Sequence, residues 1–220
     1  MKIYKIPQDL RAFIFDIDST LYTNASYAFE QVDCQVRQFA KERGISADEA
    51  RRMVADYRKS FANEHNGSKV SHGNTLLAFG VSISQSVQWR RELLEPADFL
   101  SRDEQLIETL KILQSKYQLI CVTNNPVLPA RKTLEAIGIS DFFPEIVGLD
   151  TCLKSKPAVE PFQTAVDLLS KRAGYQITAE NCLAIGDRYD MDIALPLEMG
   201  MGGILVSGDE EVYPIPKSVL

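Results

Sequence analysis

The residues Ala12-Phe13-Ile14-Phe15 form an unbroken apolar run that ends on two acids, Asp16 and Asp18. A short run that is apolar at every position predicts a strand buried on both faces. Comparable runs lie at residues 118–123, 145–148, 182–186 and 203–206, and residues 2–6 predict a short edge strand ended by Pro7. Between them apolar positions recur at helical spacing. Over 26–43 these are Phe29, Val32, Val36, Phe39 and Ala40, with Gly44 as the stop. Over 46–63 Ser46 and Glu49 have the spacing of a capping box, and Val54, Tyr57 and Phe61 share one face. Further helices are predicted at 74–79, 84–94, 102–115, 125–137, 161–172 and 193–199, with a loop at 66–68. The tail after Gly208 carries two prolines and reads as irregular.

Strands alternating with helices predict an α/β fold with a doubly wound parallel sheet. No strand-like run occurs between Asn24 and Pro96. Residues 23–96 are therefore expected to be a small all-helical cap inserted after the first core strand. Residues 1–22 and 97–220 would form the α/β core. An insert leaving the chain beside the two acids is expected to act as a lid.

Composition narrows the partners. The chain has 220 residues, 45% of them apolar, and a formal charge of −6. That acidity argues against nucleic-acid polymers and anionic membranes. No apolar run approaches the ~20 residues of a membrane span, and residues 1–10 do not read as a signal peptide. The four cysteines, Cys34, Cys121, Cys152 and Cys182, show no Cys-x-x-Cys spacing, which suits reduced thiols in a cytoplasmic protein. Oligomeric state is not readable from the pattern.

The chemistry gathers where apolar runs end. Two acids beside a hydrophobic strand need a counter-charge, and a hard divalent cation such as Mg²⁺ with oxygen ligands would supply it. If the first strand continues through them, Asp16 and Asp18 point to one side. The next run ends in Thr123-Asn124-Asn125, whose hydroxyl, amides and free helix N–H groups suit an anion; capping is the ordinary role for Asn125. Lys156 precedes Pro157, which holds it extended and able to present an ammonium. The run 182–186 ends in Gly186-Asp187, followed by Asp190 and Asp192, either of which could orient ligands or cap a helix.

These motifs, in this order on an α/β chain, resemble the haloacid dehalogenase superfamily, whose members are mostly phosphatases with an aspartate nucleophile and a Rossmann-like core. The family's Asp-x-Asp-x-Thr matches Asp16, Asp18 and Thr20. Its strand-end hydroxyl matches Thr123, its lysine Lys156, and its Gly-Asp with a later Asp matches Gly186, Asp187 and Asp192. The helical insert resembles the family's helical (C1-type) cap. Asp18-Ser19-Thr20-Leu21-Tyr22 and His72-Gly73-Asn74-Thr75-Leu76 resemble the pyrimidine 5′-nucleotidase branch.

The resemblance implies a Mg²⁺-dependent phosphomonoester hydrolase working through an aspartyl phosphate. Asp16 would be the nucleophile and Asp18 the proton donor and then base. Asp16, the Asp18 carbonyl and Asp187 would bind Mg²⁺. Thr123, Asn124 and Lys156 would hold the phosphoryl group, with Thr20 and Asp192 behind them. A small phosphorylated metabolite is the expected partner, nucleoside monophosphates ahead of sugar phosphates. A sugar phosphomutase and a non-catalytic metabolite binder stay open. Tyr22, Asn24, Arg52, Arg58, Lys69, His72 and Asn74 are the candidates for reading the substrate.

Overall fold

A computed structural model describes residues 1–67 and 70–220. The chain divides into two compact units, Met1–Asn24 with Pro96–Leu220, and Ala25–Glu95. Ser68 and Lys69, which carry the end of the expected 66–68 loop and one substrate-reading candidate, lie outside the described residues.

The larger unit opens with β1 (Lys2–Lys5) and β2 (Ala12–Phe15). The helical unit follows: α1 (Ala25–Arg43), α2 (Ala47–Glu64), α3 (His72–Ala78) and α4 (Ile83–Leu93). The larger unit then resumes with α5 (Glu104–Gln114), β3 (Gln118–Val122), α6 (Val127–Ala136), β4 (Ile146–Val147), α7 (Leu149–Cys152) and α8 (Val159–Ala173). It closes with β5 (Cys182–Gly186), α9 (Ala194–Glu198), β6 (Gly202–Leu205) and α10 (Ile215–Val219).

Among the described residues six strands form one sheet in the order β1-β6-β5-β2-β3-β4. All neighbours are parallel except β1, which lies antiparallel to β6 at the edge. The fold is thus the expected α/β sheet, except that its edge strand β1 is antiparallel rather than parallel. β2 is the centre: Phe15 pairs with Cys121 on one side and Ile185 on the other. Its apolar run is explained by both faces. Ala12 and Ile14 pack with Ile120, Val122, Phe162 and Leu169, while Phe13 and Phe15 stack on each other and meet Tyr117 and Phe143. The chain passes from β2 to β3 on one side and later to β5 on the other, so β2 borders the point where strand order reverses. In such sheets the crevice at the strands' carboxyl ends there is the usual ligand site.

The helical unit has its own core of Val36, Phe39, Ala40, Ala50, Val54, Leu76, Val81 and Trp89. Ser46 caps α2 by accepting the Glu49 N–H, as its position predicts. No helix among the described residues is long and apolar enough to cross a membrane.

Two expectations are corrected, and one turn lies outside any of them. Phe29 is 60% exposed rather than inward; near the start of α1 the buried stripe begins at Tyr27 and continues at Cys34, seven residues on. The tail forms α10, because Val212 and Ile215 are fully buried and a proline is tolerated in a first helical turn. Residues Tyr189–Ile193 make a π-helical turn before α9, which no period of 3.6 foresees.

His72, one of the candidates for reading the substrate, is only 7% exposed. Neither ring nitrogen meets a hydrogen-bond partner among the described residues. Burial pushes its imidazole down to about 4, with the charges of Arg90 and Arg58 acting the same way. Because this lies below the unfolded value, protonation favours the unfolded chain. The stabilisation is present above about pH 6.5 and lost as pH falls toward 4, by roughly 3 kcal/mol in all. An NMR titration of the His72 ring should show a midpoint near 4 in the folded protein, whereas a midpoint near 6.5 would contradict its burial as a neutral group.

Candidate active site

The three central strands end level, and their next residues converge. The Asp16 N–H donates to the Ile185 carbonyl at 2.8 Å, and the Thr123 N–H to the Val147 carbonyl at 2.9 Å. β2 stops at Phe15, so strand geometry does not carry both acids as the alternation argument supposed. Asp18 instead lies in a tight loop, bridged to Tyr22, with Ser19 at φ 59°. Asp16 and Asp18 still face one cavity of about 210 Å³, lined also by Ser19, Asn124, Lys156, Asp187, Arg188, Met191 and Asp192.

Lys156 is the hub. Its buried ammonium donates to Asp16 Oδ1 at 2.6 Å and to Asp192 Oδ1 at 2.5 Å. Thr20 Oγ1 donates to the other Asp16 oxygen at 3.4 Å. The Lys156 loop is fixed by Asn124, whose Oδ1 accepts the Lys156 N–H at 2.7 Å and whose Nδ2 donates to the Lys156 carbonyl at 3.3 Å. Both ends of the Asn124 amide thus meet the Lys156 backbone, and Asn124 also lines the cavity.

Asp18 has a separate set of donors. Tyr22 Oη and Asn125 Nδ2 donate to its two oxygens, the latter at 2.8 Å, and Thr123 Oγ1 lies 3.5 Å away. Asn125 is therefore not a helix cap. The N-cap of α6 is Pro126, and the Val127 N–H donates to the Asp150 carboxylate at 2.9 Å. That N–H was expected to serve an anion from outside, and a carboxylate of the chain already holds it. Tyr22, a candidate for reading the substrate, and Asn125, read as a cap, instead both hold the Asp18 carboxyl. The signal for Tyr22 was its place four residues after Asp18, close enough for a loop to fold back.

Electrostatics follow from the count of charges. Four carboxylates line the cavity against Lys156 and Arg188. Burial pushes Asp16 up to about 7 despite the pull of Lys156, and Asp192 and Asp18 add to the rise. Asp187 is pushed up to about 6, first by burial and then by Asp192. Burial alone would lower the Lys156 ammonium, but Asp16 and Asp192 outweigh it and hold it above the ordinary lysine range. Acids and lysine rise together because carboxylates outnumber cations at short range. Oxygens of Asp16, Asp187 and Asp192 lie within 4.8 Å of one another. An all-oxygen set of this size and charge fits a hard divalent cation, which would replace the protons the acids otherwise retain. Asp192 supplies the third carboxylate of this cluster, beside which the ligand the resemblance implies for Asp18 is its backbone carbonyl.

Asp192 reaches the centre because the π-helical turn brings it back to Gly186. A Cβ on Gly186 would fall 2.3 Å from Asp192 Cβ. Gly186→Ala should displace Asp192 and with it Lys156, lowering Tm by roughly 5–10 °C. A Tm within about 1 °C of the wild type in differential scanning calorimetry would contradict this packing.

The substrate-reading candidates belong to both units, Tyr22 and Asn24 to the larger one and the others to the helical one. Tyr22 engages Asp18, and Asn24 Nδ2 donates to the Phe99 carbonyl at 2.8 Å. In the helical unit Arg52 and Asn74 are exposed, Arg58 donates to the Val70 carbonyl at 3.4 Å, and His72 is buried.

Comparison with known proteins gives one consistent answer. The family of haloacid dehalogenase-like hydrolases matches residues 10–200. The glyceraldehyde 3-phosphate phosphatase of Methanothermobacter thermautotrophicus is 27% identical over 220 residues, covering 91% of this chain and 87% of that one. A HAD phosphatase of Thermococcus onnurineus superposes with a TM-score of 0.58 at 21% identity, over 90% of this chain and 86% of the other. A HAD-hydrolase of Bacillus subtilis bound to magnesium superposes with a TM-score of 0.59 at 19% identity, over 96% and 100%.

Proposed function

The chain belongs to the haloacid dehalogenase-like hydrolases, and we propose that it is a Mg²⁺-dependent phosphomonoester hydrolase in which Asp16 accepts the phosphoryl group. The observation that carries this reading is the buried Asp16–Lys156–Asp192 contact with Asp187 and Asp18 around the same cavity. Its similarity to the glyceraldehyde 3-phosphate phosphatase, 27% identical, supports it.

The roles follow from position. An Asp16 carboxylate oxygen attacks phosphorus and the ester P–O bond breaks. Asp18, held by Tyr22, Asn125 and Thr123, gives a proton to the departing oxygen. It then takes a proton from the water that attacks phosphorus, which releases phosphate and restores Asp16. Lys156 keeps Asp16 oriented and offsets part of its charge as the dianionic group approaches. A Mg²⁺ held by Asp16, Asp187 and the Asp18 carbonyl would supply the remaining positive charge against the phosphoryl oxygens.

The cavity favours a small polar ester. Met191 is its one apolar side chain, and no aromatic residue lines it among the described residues, so it offers no platform for a nucleobase. Nucleoside monophosphates therefore enter only as one arm of a substrate screen.

The test uses metal-depleted protein. Mg²⁺ at a hundred times its dissociation constant should raise stability by about 2.7 kcal/mol, which is roughly 5–10 °C in Tm. Asp16 and Asp187 sit above their unfolded values, so metal-free stability falls as pH rises from about 4 to 7 through these groups. The Mg²⁺-induced rise in Tm should accordingly be small at pH 5 and large at pH 8. Hydrolysis of p-nitrophenyl phosphate should require Mg²⁺ and stop with EDTA. Undiminished turnover in EDTA, or an unchanged Tm with Mg²⁺ at pH 8, would refute the reading.

A further inference from the structure

Arg188 lines the same cavity as Asp16 and Lys156, and the phosphoryl-transfer roles above do not use its guanidinium. Its backbone and side chain are held very differently. The Arg188 N–H donates to the buried Asp192 carboxylate at 3.0 Å, which ties the main chain to the centre of the site. Its Nη2 donates to Asp190 Oδ2 at 3.0 Å, but the two side chains are 55% and 66% exposed. So open an ion pair is weakly held and exchanges easily for another anion. Lys156 differs, since its ammonium is buried and shared between Asp16 and Asp192.

We propose that Arg188 is a specificity residue that binds a carboxylate carried by the substrate a few atoms from its phosphoester, with Asp190 as the internal carboxylate it exchanges. This deepens the phosphomonoester reading and rests on it. A guanidinium offers paired N–H donors that match a carboxylate, and a carboxylate of the chain already meets it. Four acids line the cavity, so an extra negative charge on a substrate needs a cation of its own. Arg188, Asp16 and Lys156 line the same cavity of about 210 Å³, which sets the second group close to the first.

The experiment is calorimetric titration, with Mg²⁺ present, of two non-hydrolysable phosphonates of matched size. One ends in a carboxylate and the other in a neutral carboxamide. Wild type should bind the carboxylate roughly tenfold or more tighter. Arg188→Ala should bring the ratio of dissociation constants to about one, Arg188→Lys should recover part of it, and Asp190→Asn should widen it. A structural role for Arg188 would weaken both ligands alike, so an unchanged ratio in Arg188→Ala overturns the proposal, as does a wild type without preference. Turnover of p-nitrophenyl phosphate by the wild type is followed in parallel. Preference without turnover keeps the Arg188 assignment and removes the phosphatase reading; turnover without preference does the reverse.

Discussion

Asp16→Asn is expected to fold as the wild type does and to lose nearly all turnover, by roughly 10⁴-fold or more in kcat. The amide keeps the size of the carboxyl and can still accept from Lys156 through its oxygen, while Lys156 retains Asp192 as its counter-ion. Burial already raises the Asp16 carboxyl to about 7, so removing its charge costs the metal-free fold little. An amide oxygen, however, is a poor nucleophile toward phosphorus, and no other side chain replaces it. The loss should be of similar size for good and poor leaving groups, because the attacking atom itself is gone. Retention of even a tenth of the wild-type kcat would remove Asp16 from the nucleophile role.

Lys156→Met is expected to damage fold and reaction together. The change leaves the carboxylates of Asp16 and Asp192 buried beside each other without the ammonium between them. Deleting one partner of a buried ionic contact costs about 3–5 kcal/mol, or roughly 6–20 °C in Tm for a chain of this length. Part of this loss should return on adding Mg²⁺ at pH 8, since a cation among the remaining carboxylates relieves the same repulsion. Lowering pH toward 5 should also restore stability, as protons do the same work. A Lys156→Met protein with wild-type Tm and no response to Mg²⁺ would show that the contact has no structural weight.

Much of this was readable before any coordinates, for physical reasons. Strands buried on both faces leave continuous apolar runs, so 12–15, 118–122 and 182–186 stood out. The antiparallel pairing of β1 did not, since side-chain pattern carries no strand direction. Asp16, Thr123 and Asp187 were visible because each interrupts an apolar run at its end. Asn125 was hidden because an asparagine before a helix has a common explanation in capping, and only the coordinates show Pro126 in that place. Asp192 was underestimated for another reason. Its approach to Asp16 and Lys156 depends on the π-helical turn, and a helix drawn at ordinary spacing would not bring it over Gly186. The burial of His72 leaves no mark in its neighbours glycine, asparagine and threonine, because tertiary packing sets it.

The central claim is that a carboxylate of β2's trailing loop carries the phosphoryl group. Rapid acid quench during turnover of a phosphomonoester with Mg²⁺, followed by reduction with tritiated borohydride, which displaces the phosphate, and peptide mapping of the tritium, tests it most directly. The account predicts label, and reduction of the side chain, at Asp16 alone. Label at another residue, or full turnover with no covalent intermediate at any quench time, would contradict it.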